Sequence, residues 1–255
     1  GSRFIVAGTL LMLWMRWRGA AWPSWIEWRN ATVVGSLMLA AAMGWLASAQ
    51  QHIGSGLIAT FIAIVPMVVC AFGLLAGKRP TRLELAGMAL GALGVLLLVR
   101  GASFSASPVG IALIIGSVIS WSLGSVLQTT RLPLAPGPIG FASEMLCGGV
   151  VLMVISLVLG EQPSWPPQPA ALAAWVYLVV FGSLVAFSAY LYLLANATPA
   201  VATSYAFVNP VIALALGVAL GGEVVSGEEW LACCVILSGV GLIFLSKTKL
   251  SQHLR

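Results

Sequence analysis

Aspartate is absent from this 255-residue chain, and charge of either sign is scarce, at 7% of positions against 60% hydrophobic. A soluble globular domain carries roughly 25% charged and about 45–50% apolar residues. Water-soluble, disordered and disulfide-stapled secreted classes are therefore excluded, because too few charged side chains exist to solvate a body of this size. Cysteine is also sparse, and Cys70, Cys147, Cys233 and Cys234 all lie in apolar runs. They read as small core residues rather than as a disulfide framework or a metal site. Histidine is limited to His52 and His253, far apart in the chain. With one acid read as lying inside a span, no acid–base or metal constellation can be assembled, so the chain is read as no enzyme and as needing no cofactor. Twelve cations against seven acids would suggest a nucleic-acid partner in a soluble chain. Here no nucleic acid is expected, and the question becomes which side of a lipid bilayer the Lys and Arg occupy.

What is present is long charge-free sequence. No charged residue occurs from Asn30 to Gly77 or from Gln162 to Gly222, each room for two crossings at about 20 residues apiece. The polar knot Gln50, Gln51, His52 with Gly54, Ser55 and Gly56 folds the first stretch into a helical hairpin, and Asn196, Thr198 and Pro199 punctuate the second. The whole chain divides into nine segments near 4–16, 31–49, 55–77, 83–99, 109–130, 139–160, 171–195, 200–221 and 229–246. The first, with 12 apolar residues from Phe4 to Met15, is short for a crossing, and the chain opens without an initiator Met. A truncated N-terminus is expected.

Loop charges orient the spans. Arg16, Arg18, Arg29, Lys78, Arg79, Arg82, Arg131, Lys247, Lys249 and Arg255 fall on one side of the nine-span arrangement, and only Arg3 and Arg100 on the other. That asymmetry places the basic loops and the C-terminus in the cytoplasm, with Glu161, Glu223, Glu228 and Glu229 outside. A multi-pass protein of the cytoplasmic membrane is predicted.

The chain also repeats itself. Ala63–Gly77 resembles Phe207–Gly221, with Pro66 over Pro210 and Gly73 over Gly217, and five spans separate them. An odd offset makes the two copies cross in opposite directions, the inverted-topology arrangement of many secondary transporters. After a one-residue slip Glu84 lies over Glu229 and Gly94 over Gly239. Residues 1–100 form a first repeat, 109–247 a second and 248–255 a cytoplasmic tail, and five spans in each would need one more helix before Arg3.

Several residues inside the spans carry possible chemistry. Pro66 and Pro210 each sit about ten residues into a span, roughly 15 Å deep, where a proline removes the backbone hydrogen bond to the carbonyl four residues earlier, at Ile62 and Ala206. A matched pair of broken helices at the midplane points to a transport site, although proline also merely kinks membrane helices. Tyr205 and Asn209 share a helix face that Thr203 and Ser204 extend, able to bind a ligand or to bond between helices. Trp121, among Ser120, Ser122 and Ser125, supplies an aromatic wall to a cavity or packs in the core. Glu144 is a functional candidate for proton coupling, or it reaches the interface or pairs with Arg131. Trp14, Trp17, Trp22, Trp25 and Trp28, with Tyr190 and Tyr192, read as interfacial aromatic belts. Gly87, Gly91 and Gly94 mark a close-packed helix face, and Gly148 and Gly149 another.

Trp121–Ser125 (WSLGS), Gly182–Tyr190 (GSLVAFSAY) and Ser204–Pro210 (SYAFVNP) together resemble the EamA family of the drug/metabolite transporter superfamily. The resemblance runs from Arg3 to about Lys247. It implies an all-α polytopic membrane protein of ten helices in two inverted five-helix repeats, the first helix missing here. It further implies an inner-membrane exporter of small metabolites such as amino acids or drug-like solutes, with a central cavity between the repeats. Lys78 stands where the first repeat usually carries Glu, and Glu144 where a neutral polar residue is usual. The expected function is export of a small-molecule solute by alternating access around a cavity lined by Trp121, Ser204, Tyr205, Asn209, Pro66 and Pro210. The alternative is a non-enzymatic structural or lipid-handling membrane protein. A monomer and a homodimer fit the sequence equally.

Overall fold

The computed structural model describes residues 1–98, 107–161, 166–221 and 226–253, so Arg100, Glu223 and Arg255 lie outside the described residues. Every regular element among those residues is helical: α1 (Ser2–Trp17), α2 (Trp25–Ala49), α3 (Ser55–Ile62), α4 (Val65–Leu75), α5 (Arg82–Leu98), α6 (Pro108–Thr130), α7 (Pro138–Val158), α8 (Pro169–Asn196), α9 (Pro199–Thr203), α10 (Tyr205–Gly221) and α11 (Gly227–His253). Among the described residues, seven helical stretches are long and apolar enough to cross a membrane. The helices fall on the nine predicted segments, α3 and α4 sharing one and α9 and α10 another; α1 and α5, at 16 and 17 residues, are not among the seven.

Helix starts follow local rules. Ser24 caps α2 in a reciprocal box: its hydroxyl accepts from the Glu27 amide at 3.4 Å while the Glu27 carboxylate accepts from the Ser24 amide at 2.6 Å. Gly137, with φ at 73°, turns the chain into Pro138 at the start of α7, a backbone conformation that disfavours any Cβ. Two helices carry a π-helical stretch, Ser36–Ala42 in α2 and Leu178–Phe187 in α8. These are corresponding helices of the two repeats, so the irregularity itself is repeated.

The chain forms two compact units, residues 1–44 with 123–196, and residues 45–122 with 197–255. Each unit draws on both halves of the sequence. In the first, α7 is wedged between α1 and α2. A Cβ on Gly149 would lie 2.9 Å from Ile5 Cγ1 and one on Gly148 2.6 Å from the Gly35 carbonyl oxygen, so the adjacent glycines serve two different neighbours. Close backbone approach of this kind is how membrane helices associate without a hydrophobic driving force.

In the second unit α5 and α11 pair closely. A Cβ on Gly87 would lie 2.6 Å from the Gly239 oxygen, one on Gly94 2.6 Å from Ile236 Cγ1 and 3.1 Å from the Ala232 oxygen, and one on Gly239 2.6 Å from the Gly91 nitrogen. Rising numbers on α5 meet falling numbers on α11, so the helices are antiparallel. The register that lays Glu84 over Glu229 also lays Gly87 over Ala232, Gly91 over Ile236 and Gly94 over Gly239. Gly87 thus meets the counterpart of Gly94, and Gly94 the counterparts of Gly87 and Gly91. Such a self-complementary contact requires a two-fold relation between the copies, and it carries the inverted repeat from sequence into structure. Phe207, fully buried, packs its ring over Gly91 within a core that includes Met88, Val95, Ile236 and Ile243.

Candidate functional site

The second unit contains a cleft of about 380 Å³ lined by Gln50, Ile53, Ile58, Ala59, Ile62, Ala206, Asn209 and Pro210. Its walls are the end of α2 with the loop that follows, the face of α3, and α10. The loop is held by packing: Ile53 belongs to a cluster with Ala49, Ile58 and Ile114, and Gly110 at the start of α6 leaves no room for a Cβ beside Ile53 and His52. Asn209 and Gln50 are exposed into the open cleft, and neither carboxamide has a hydrogen-bond partner among the described residues.

Asn209 and Pro210 of the expected site therefore meet in this cleft, and Trp121, Ser204, Tyr205 and Pro66 do not line it. Trp121 is 9% exposed on α6, Tyr205 is half-buried, and Pro66 is buried in the first turn of α4. The Ser204 hydroxyl is buried and donates to the Val201 carbonyl at 2.9 Å, as the Thr203 hydroxyl does to Pro199 at 2.7 Å. Those two hydroxyls are spent on their own backbone rather than offered to a ligand.

The helix breaks are also unequal. Pro66 lacks the N–H that would bond the Ile62 carbonyl; α3 ends at Ile62 and α4 restarts at Val65, with Ile64 accepting from the Met67 and Val68 amides at 3.0 and 3.1 Å. Pro210, by contrast, lies inside α10. The second break falls at Ser204, six residues earlier, where the hydroxyl bonds above close the short helix α9 and the Phe207 amide reaches the Ser204 carbonyl at 3.1 Å. The expectation that Pro210 itself interrupts its helix is corrected.

Glu144, in the first unit, is fully buried on α7, and neither carboxyl oxygen has a hydrogen-bond partner among the described residues. It neither reaches the interface nor pairs with Arg131, which is exposed. Nor is it the one acid enclosed within a helix. Glu84, in the first turn of α5, is 3% exposed; it accepts from the Thr81 amide at 2.8 Å and the Thr198 hydroxyl at 2.6 Å. Its counterpart Glu229 accepts from the Ser226 amide at 2.7 Å, so the Glu84–Glu229 match of the repeat is a pair of equivalent N-terminal caps.

Of the five clustered tryptophans, Trp17 and Trp25 are each 84% exposed, Trp28 is half-buried, and the Arg16 and Arg18 guanidiniums stack on Trp22 and Trp14 at 4.8 and 5.0 Å. Tyr192 is exposed with them. Tyr190 is not: it is buried, its hydroxyl 2.8 Å from that of Ser125. Gln50 was missed by sequence reading because it stands in a polar run that marks a loop, and only the tertiary fold turns it toward Asn209.

Comparison with known proteins agrees with this architecture. Residues 1–100 and 108–245 match the model of the EamA-like transporter family. The chain is 42% identical over 248 residues to the Escherichia coli K12 protein named uncharacterized inner membrane transporter YedA, covering 97% of this chain and 81% of that one. It is 30% identical to the uncharacterized transporter sll0355 of Synechocystis, over 94% of this chain and 79% of the relative. PecM of Dickeya dadantii is 23% identical over 94% of this chain and 80% of that protein. A crystal structure superposes with a TM-score of 0.77 at 20% identity, covering 95% of this chain and 85% of the other; that likeness establishes the fold.

Proposed function

Because the chain belongs to the EamA-like transporter family, we propose that it exports small organic solutes, amino acids or drug-like molecules, from the cytoplasm across the inner membrane by alternating access. The observation that carries this reading is the cleft between α3 and α10, where Asn209 and Pro210, roughly ten residues into their predicted span, share a lining with Gln50 from the loop after α2. A polar side chain with no partner at that depth is costly in lipid unless a ligand or water bonds it. The broken segments around Pro66 and Ser204 are where the backbone can change course as the two repeats rock. Tyr205 stands one turn before Asn209 on the same face of α10, and neither it nor Trp121 is part of the lining.

Glu144 carries the coupling proton in this proposal. A carboxyl group enclosed on all sides, with neither oxygen bonded, exchanges its proton only when the surrounding helices part, and alternating access supplies that opening. The basic loops and the C-terminus face the cytoplasm by the distribution of Lys and Arg.

The test is solute flux into proteoliposomes holding the purified protein. Asn209→Ala should abolish flux in a protein that still melts cooperatively, and Tyr205→Phe should reduce it. Glu144→Gln should leave exchange down a solute gradient intact while removing its response to an imposed pH gradient. Flux unchanged by Asn209→Ala would remove the cleft from the mechanism.

A further inference from the structure

We propose that, of the two solute classes named above, the cleft takes the drug-like one: uncharged solutes that pair an apolar body with an amide-like hydrogen-bonding head, with ions and zwitterions, free amino acids among them, rejected; this rests on the reading of the cleft as the solute site and narrows it. The cleft wall is aliphatic at Ile53, Ile58 and Ile62 and carries two carboxamides, Gln50 and Asn209, with no ionisable group. A carboxamide donates two hydrogen bonds and accepts two, so the pair is complementary to a head that is itself both donor and acceptor, such as a primary amide, a lactam or a urea. Neither carboxamide is already committed to another residue among those described.

The distribution of charge through the chain excludes the alternatives. The lining holds no Lys, Arg or Glu, and no Asp exists in the chain. Of the buried acids among the described residues, Glu84 is bonded to Thr81 and Thr198 at a helix start, and Glu144 is sealed inside the first unit with no exposed surface. A charged solute taken to the depth of Asn209 therefore finds no opposite charge, and an unpaired charge removed from water loses its hydration without compensation. A neutral amide loses far less and regains it from Gln50 and Asn209.

The test uses four probes on one phenylpropyl frame: 3-phenylpropanamide, 3-phenylpropanoate, 3-phenylpropylammonium and zwitterionic phenylalanine. Binding to the purified full chain is measured by equilibrium dialysis, and flux in proteoliposomes. The amide is expected to bind at least about tenfold more tightly than any charged member, and Asn209→Leu and Gln50→Leu should each erase that preference. An ion or the zwitterion binding as tightly as the amide, and losing its affinity in Asn209→Leu, would overturn the solute class while leaving the cleft as the site. Failure of all four probes to bind would also overturn the class. Flux that survives filling the cleft by Ala59→Trp would overturn the reading of the site on which the class depends.

Discussion

Two buried polar residues show what a single side chain contributes. Tyr190 is 6% exposed and its hydroxyl meets Ser125 at 2.8 Å, whereas Tyr192, two positions on, is 61% exposed. Tyr190→Phe should lower thermal stability in detergent by about 1 kcal/mol, because it leaves the Ser125 hydroxyl short of a buried partner. Tyr192→Phe should leave the melting curve where it is. A belt position and a core position were indistinguishable in sequence, since both tyrosines lie near one end of the same apolar run. Glu144 behaves in the opposite sense. Its carboxyl group is enclosed without a bond to either oxygen, so replacement by an apolar residue of similar size removes an uncompensated polar group. Glu144→Leu is expected to hold or raise stability, by up to about 2 kcal/mol, even as coupling is lost in flux assays. A clear drop in melting temperature would show that the carboxyl group is structurally satisfied.

At the scale of the element, the helix starts and the glycine face were readable from local pattern, and the helix breaks only in part. The spacing of Gly87, Gly91 and Gly94 pointed to a packing face, and α11 occupies it. The position of the second break was not readable, because Pro210 is tolerated inside α10 while the backbone bonds of Thr203 and Ser204 end α9. Proline signals a lost hydrogen bond, and packing decides whether the helix stops there. The glycine contact yields a sharp comparison. A Cβ on Gly239 would lie 2.6 Å from the Gly91 nitrogen, whereas one on Gly241 meets nothing within 4 Å. Gly239→Leu should therefore destabilise by about 1–3 kcal/mol through overpacking and broaden the size-exclusion profile, with Gly241→Leu close to wild type. The two equivalent caps give a second comparison on the same pair of helices. Glu84→Ala breaks both the buried α5 cap and the bond to Thr198, and should cost more than Glu229→Ala, whose cap is fully exposed; thermal unfolding in detergent distinguishes them.

For the whole molecule, the sequence pattern foretold spans and repeats better than it foretold which helices cluster. Each compact unit combines segments from both repeats, since a chain that returns across the membrane packs against helices distant in sequence, and periodicity holds no record of that choice. The cleft shows the same limit: Asn209 was legible from its place beside Pro210, while Gln50 became part of the site only through the loop that Ile53 anchors. Orientation, however, depends on charge alone and can be tested without knowing the solute. Loop residues His52 and Lys78 are both exposed and lie at opposite ends of the stretch formed by α3 and α4, which crosses once. The excess of Lys and Arg on the Lys78 side predicts that this loop faces the cytoplasm. In a variant with the four native cysteines replaced, His52→Cys should react with a membrane-impermeant maleimide added to intact cells, and Lys78→Cys should react only after the membrane is opened. The reverse pattern would invert the assignment of every loop. Labelling of both from outside would mean that the stretch between them does not cross, which the 19-residue apolar stretch Leu57–Leu75, enough to traverse the hydrocarbon once, argues against.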